Sequence, residues 1–141
     1  MLSKPVNGEV IVKIGDFESK ANYLTDIPND CLDAFIFALD KGMPAVVYFQ
    51  YNGYCFYVLA DEYNTYVIQE ENGKMFYHTE IDVIELAKQL IADIESCMDD
   101  WAMWKYYMGE LDWDAEEERI NLEEKLAELR YLLNKRFKSG R

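Results

Sequence analysis

The sequence predicts an α+β fold: an antiparallel β-meander of three to five strands with a short helix, followed by a long C-terminal α-helical hairpin. Three observations lead there. Asn52-Gly53 and Asn72-Gly73 each divide runs of β-branched and aromatic residues, and Asn-Gly is the pair that best tolerates the positive φ values of a two-residue type I′ turn. From Ile81 the apolar residues recur with a helical period through Trp104, which marks a change from strand to helix. Leu122, Leu126, Leu129 and Leu133 then repeat at spacings of four, three and four, a short heptad seam on a second helix. With 141 residues, half of them hydrophobic, one domain spanning 1–141 suffices, with 1–80 holding strand, short helix and meander and 81–141 the hairpin.

Val10 to Phe17 is β-rich and predicts a first strand ending near Gly15, paired at one edge of the later sheet. Ile27-Pro28-Asn29-Asp30 has the composition of a helix start, with an early proline, a capping Asn or Asp and an acid near the positive end of the dipole. Leu32, Phe35, Ile36 and Leu39 supply its apolar stripe, and Gly42 and Pro44 stop it. In the meander, tight turns would set Tyr51 opposite Tyr54, Phe49 opposite Phe56 and Val47 opposite Val58, then Ile68 opposite Tyr77 and Val67 opposite His78. One face of this sheet must pack on helices. The other, with Val46, Tyr48, Cys55, Tyr57 and Leu59, is either a tyrosine-rich contact surface or covered by the C-terminal helices.

The stripe from Val83 to Trp104 predicts one helix of about 25 residues, near 40 Å long and longer than a small sheet requires. Its far end needs the last segment, Ala115 to Lys138, as an antiparallel partner, with a turn through Gly109 to Asp114 and Asp112 or Asp114 as cap. Glu116, Glu117 and Glu118 in the first turn and Lys135, Arg136 and Lys138 in the last complement the helix dipole. The same leucine seam, with Tyr131 and Phe137 on its flank, could instead join two copies as a homodimer through the C-terminal helix.

Charge narrows the function classes. Against 14 Lys and Arg stand 27 Asp and Glu, a net charge of −13, and the excess is uneven: Asp82 to Glu118 carries 2 basic and 12 acidic residues. A polyanion repels phosphates and anionic lipid and is steered toward basic surfaces, so neither nucleic acid nor membrane is expected as a direct partner. Met1 to Gly8 lacks the basic start and apolar run of a signal peptide, which places the protein in a cytoplasm. Cys31, Cys55 and Cys97 have no close spacing, so buried thiols are expected rather than disulfides or a zinc site.

Catalytic and cofactor chemistry find no foothold in the sequence. His78 is the only histidine, with no nucleophile placed beside it by local spacing. Asp112 to Glu123 imitates a calcium loop, but Glu117 stands where the sixth-place glycine belongs. Asp99 and Asp100 are adjacent on a helix and point apart, and no phosphate-binding glycine motif is present. A non-enzymatic protein without metal or cofactor is the expectation.

What the sequence offers is an acidic tip with interleaved aromatics: Asp99, Asp100, Trp101, Trp104, Glu110, Asp112, Trp113, Asp114, Glu116, Glu117 and Glu118, with Asp93, Glu95, Tyr106 and Tyr107 nearby. Carboxylates one helical turn apart approach the spacing of successive phosphates, and aromatic rings beside them suit Arg and Lys side chains. In size, charge and layout the chain resembles the small acidic proteins by which phages and mobile elements antagonise host defence, including anti-CRISPR and antirestriction proteins that mimic DNA. The resemblance implies an inhibitor that occupies the basic nucleic-acid-binding groove of a host defence protein, in the host cytoplasm if a phage encodes it. The competing expectations are an immunity or adaptor protein that binds through the tyrosine-rich sheet face, and a homodimeric structural protein.

Overall fold

Asn52 and Gly53 take φ values of 44° and 85°, the paired left-handed conformation that lets a two-residue turn follow the twist of its strands. A computed structural model of the chain describes residues 1–69 and 74–138. In it this turn joins β3 (Ala45–Tyr51) to β4 (Tyr54–Ala60) with Tyr51 opposite Tyr54, Phe49 opposite Phe56 and Val47 opposite Val58, the expected register. Two more strands, β5 (Thr65–Gln69) and β6 (Lys74–Thr79), complete an antiparallel sheet in the order β3-β4-β5-β6.

The last hairpin departs from expectation by one residue. Val67 faces Tyr77 and Tyr66 faces His78, with a register shift between Val67 and Ile68. Gln69 pairs with Lys74, so the connection is longer than two residues, and the Asn72-Gly73 turn itself lies outside the described residues. The bulge keeps Val67 and Tyr77 on the inner face and Tyr66 and His78 on the outer one, which a two-residue turn would have mismatched.

The expected single first strand is instead a hairpin of its own: β1 (Glu9–Ile14) pairs with β2 (Phe17–Asn22) as a separate two-stranded sheet, with Leu2 bridged to Val12 on the other side of β1. Asn22 and Tyr23 close a segment whose Glu18, Ser19 and Lys20 gave it no strand-like composition. The alternation of buried Val10, Val12 and Ile14 with exposed residues shows the face that packs inward. Phe17 carries the hairpin onto the larger sheet, its ring 5.5 Å from Phe56 and 5.8 Å from Tyr77. Gly15 is required at this junction. Its φ is +58°, and a Cβ there would stand 2.3 Å from the Tyr77 hydroxyl.

Helix α1 (Ile27–Lys41) covers the same inner face alongside β3 and ends at Gly42, where expected. Its cap differs. The cap contact is made chiefly by a side chain: the Asn29 side-chain amide donates to both Asp26 carboxylate oxygens, at 3.2 and 3.1 Å. On the outer sheet face Val46 is 48% exposed, and Tyr48, Tyr57, Leu59 and Tyr66 are half-buried.

The expected long helix after Ile81 is broken into α2 (Val83–Glu95), α3 (Met98–Ala102) and α4 (Trp104–Tyr107). Asp82 starts α2 by accepting the Glu85 N–H at 2.8 Å. At its end the Ser96 hydroxyl and the Cys97 thiol both turn back to the Asp93 carbonyl, at 2.9 and 3.3 Å, and Cys97 leaves helical geometry at φ −145°. Side chains that bond to the preceding turn compete with the helical ladder. The break turns Trp101 and Trp104 into the core.

Helix α5 (Ala115–Lys138) is the long C-terminal helix. It packs chiefly against α1 and α3, and only lightly against α2, so no single long arm lies alongside it. Leu122, Leu126 and Leu129 are fully buried in this chain's own core and Leu133 packs on its margin. The seam, for which joining two copies was the alternative use, is buried within the chain, while Tyr131 stays exposed. Among the described residues no helix is long and apolar enough to cross a membrane.

Candidate functional site

Between α4 and α5 the chain runs through Gly109-Glu110-Leu111-Asp112-Trp113-Asp114, and this loop with the first turn of α5 holds the acidic tip. Asp114 is the cap: its Oδ1 accepts the N–H groups of Glu116 and Glu117 at 2.9 and 3.1 Å, and its carbonyl accepts that of Glu118 at 3.0 Å. On the other side, Trp113 donates its indole N–H to the Ala102 carbonyl at 2.8 Å and its ring lies 5.7 Å from that of Tyr106. At the start of the loop the Gly109 and Glu110 N–H groups donate to the Tyr106 and Lys105 carbonyls at 3.1 and 3.2 Å, so both ends are held to the body of the protein.

The sequence-expected site residues divide into three groups. Glu110, Asp112, Asp114, Glu116 and Glu117 are exposed, and among the described residues none is in an ion pair. Four of them, Glu110, Asp112, Asp114 and Glu117, border a cleft of about 280 Å³ beside Trp113 that Lys105 and Glu118 also line. Asp99 and Asp100 are solvated but partnered, Asp99 with Arg119 and Asp100 with Lys4 at 3.8 Å. Such exposed pairs contribute less than about 1 kcal/mol and yield easily to a stronger cation.

The third group does not belong to a contact surface. Trp101 is 0% and Trp104 1% exposed, and Trp104 donates its indole N–H to the Thr25 carbonyl at 2.9 Å. These two rings anchor the core and cannot grip a partner. Glu118 is only 6% exposed and is neutralised internally: Lys105 Nζ lies 3.2 Å from it and the Asn121 amide donates to it at 2.7 Å. Further back, Asp93 binds the Met1 amino group at 2.8 Å and Glu95 pairs with Arg130.

Beneath the tip, Glu118 belongs to a polar cluster that joins α1, α4 and α5. The side-chain Oδ1 of Asn29 accepts from the Asn121 amide at 2.9 Å and from Lys125 Nζ at 2.8 Å, and Lys125 also pairs with Asp33 at 3.0 Å. Lys105 reaches Asp26 at 4.0 Å. Burial raises the Asp26 carboxyl above its ordinary range and the nearby Glu118 adds to this, although Asn29 and Lys105 pull the other way. Asp30 is raised by burial and by the neighbouring Asp26 and Asp33. For Lys105, burial works against the ammonium, yet Glu118, Asp26 and Glu110 more than offset it and hold the lysine charged.

Leu111 was not singled out in the sequence, and it is 100% exposed at the crest of the loop, with Tyr106 57% exposed at its base. The signal was a lone leucine between Glu110 and Asp112 in a stretch without helical or strand periodicity. Leaving a leucine in water forgoes about 1.5–3 kcal/mol of burial, and here it stands between the exposed carboxylates Glu110 and Asp112.

Other chemistry is sparsely provided for. His78 is exposed, bonded through Nε2 to Asn64 at 2.9 Å and stacked on Tyr66. Burial pushes the Cys31 thiol far above its ordinary range, away from the thiolate that reactivity requires. Among the described residues no three His, Cys, Asp or Glu side chains gather to hold a metal ion. Comparison with protein-family models, with curated proteins and with solved structures finds no match to this chain.

Proposed function

We propose that this protein is a non-enzymatic binding protein that inserts its acidic loop, Gly109 to Glu117, into a basic groove of a nucleic-acid-handling protein and inhibits it by occupying that groove. One observation carries this reading: five exposed carboxylates, none in a salt bridge among the described residues, lie in the same short segment as a fully exposed leucine. Carboxylates left solvated are available to ion-pair with Lys and Arg, and the net charge of −13 steers a basic partner toward the protein. Leu111, Tyr106 and the edge of Trp113 supply the apolar contact that fixes position, in place of the buried Trp101 and Trp104. The caps and indole bond at the base hold the loop in shape, so little ordering entropy is lost on docking. The place of action is the cytoplasm, as for a DNA-mimicking antagonist of host defence.

Affinity capture with the intact protein tests this. Replacing Asp112, Asp114, Glu116 and Glu117 together by Ser keeps a capping side chain at position 114 and removes four charges. Wild type should retain basic nucleic-acid-binding proteins at low salt and release them steeply toward about 0.5 M, and the variant should retain none of them. An unchanged set of retained proteins, with the variant folded by circular dichroism, would remove the reading.

A further inference from the structure

Aromatic rings from separate stretches of chain meet beside the acidic loop and continue away from it. Trp113, in the loop, lies 5.7 Å from Tyr106 on α4, and Tyr106 lies 5.2 Å from Tyr107, edge to face. Tyr107 then meets Tyr23, from the connection between β2 and α1, across Gly8. A Cβ on that glycine would stand 2.9 Å from Tyr107 Cβ and 3.1 Å from Tyr23 Cδ1, and its φ of +77° favours glycine in any case. Tyr106 is 57% and Tyr23 44% exposed, while Tyr107 and Trp113 are half-buried. Single exposed aromatics are ordinary. A row of four, assembled from positions far apart in sequence, is not.

The row is held from below. Trp104 donates its indole N–H to the Thr25 carbonyl and so ties α4 to the connection that carries Tyr23, while Trp113 donates to the Ala102 carbonyl. Rings fixed in this way lose little freedom when a partner arrives. Acidic residues stand at both ends of the row: Glu110 and Asp112 in the loop, and exposed Glu9 next to Gly8, none of the three in a salt bridge among the described residues. Within the same residues the cation set over a ring is Lys20, on Tyr51, so none of the four rings carries a cation of the chain's own.

We infer that this aromatic row selects arginine: an extended, arginine-bearing segment of the basic partner lays its guanidinium groups on the rings, and the carboxylates at both ends meet their charge. The inference rests on the proposed docking of the acidic loop and adds which cation that docking prefers. Carboxylates alone draw lysine and arginine alike from a distance. A ring tells them apart, because guanidinium is flat and weakly hydrated and stacks on an aromatic face, whereas ammonium is strongly hydrated. Spacing agrees with this. Alternate side chains of an extended segment project about 6.8 Å apart, near the ring separations of 5.2 and 5.7 Å. An uncharged apolar partner would instead bury these carboxylates without cations, which is costly.

Fluorescence anisotropy of labelled octa-arginine and octalysine, titrated with the full chain in about 0.05 M salt, tests the inference, since both peptides carry equal charge. Each exposed ring contact adds about two- to fivefold, so octa-arginine should bind roughly tenfold more tightly than octalysine. Tyr23→Leu combined with Tyr106→Leu keeps apolar bulk and should reduce that preference below about threefold with an unchanged circular dichroism spectrum, and either replacement alone should lower it by about two- to fivefold. Tyr131→Leu, at a 64% exposed position on α5 outside the row, should keep the wild-type preference. A preference that survives the double replacement belongs to pairing with carboxylates alone and would overturn the inference, as would its loss in Tyr131→Leu. Equal binding of both peptides, abolished when Asp112, Asp114, Glu116 and Glu117 are replaced by Ser, would also overturn it while leaving the acidic loop's role standing. Binding of neither peptide would remove both.

Discussion

Glu117 and Glu118 are neighbours in the chain and opposites in the structure. Glu117 is exposed, without an ion pair among the described residues, beside the cleft next to Trp113. Glu118, one helical step away, points inward to Lys105, Asn29 and Asn121. The same side chain is a presented charge at one position and an internal brace at the next, because successive residues on a helix diverge by about 100°. The acidic loop and the polar cluster beneath it therefore divide the work: the cluster joins α1, α4 and α5, and the loop above it keeps its charges in water. Counting acidic residues along the chain would have merged the two.

The sharpest way to break that comparison is to alanine-substitute both residues. Glu118→Ala leaves Lys105 and two asparagines facing a partly buried space without their acceptor, and should lower unfolding free energy by about 2–3 kcal/mol. Glu117→Ala should stay within about 0.5 kcal/mol in the same urea titration. Equal costs would mean that the loop is structural too.

A smaller effect concerns pH. The folded protein holds the Asp26 carboxyl above its ordinary range, so the protonated form is the one the fold favours. Its contribution to stability is complete below the ordinary carboxylate pKa and is lost as pH rises through the higher folded value. Asp26→Asn, which cannot ionise, should thus be more stable than wild type near pH 7 and lose that advantage toward about pH 4. An advantage that grew on acidification would show that Lys105 and Asn29 outweigh burial at this site.

The smallest expected change is at the boundary between the two regions. Trp113→Phe deletes the indole bond to the Ala102 carbonyl and should cost about 0.5–1 kcal/mol. Its larger consequence should be faster amide exchange across Gly109 to Asp114, since the ring is one of the ties on the loop. Exchange at wild-type rates would assign the loop's shape to its other ties.

Local chemistry made much of this legible. The Asn52-Gly53 turn carried its own register, Gly42 and Pro44 ended α1, and Asp114 sat where a helix cap belongs. The second hairpin misled because its bulge sets Tyr77 opposite Val67, on the face where Tyr77 meets Phe17, a contact made across the molecule. The helix after Ile81 misled because Ser96 and Cys97 look neutral in a periodic stretch, and their bonds to the Asp93 carbonyl appear only once the chain turns toward the core. Trp101 and Trp104 then moved from expected anchors to buried ones.

For the acidic segment the division is physical. Residue types and spacing determined that Glu110 to Glu118 would be strongly anionic and would open a helix, since those properties depend on neighbours within one turn. Which carboxylates meet a cation was decided by Lys105 and Asn29, contributed by α4 and α1 from far along the chain. Ionic contacts act over a few ångströms in space and are indifferent to distance in sequence, so only the tertiary structure could tell a brace from an offered charge.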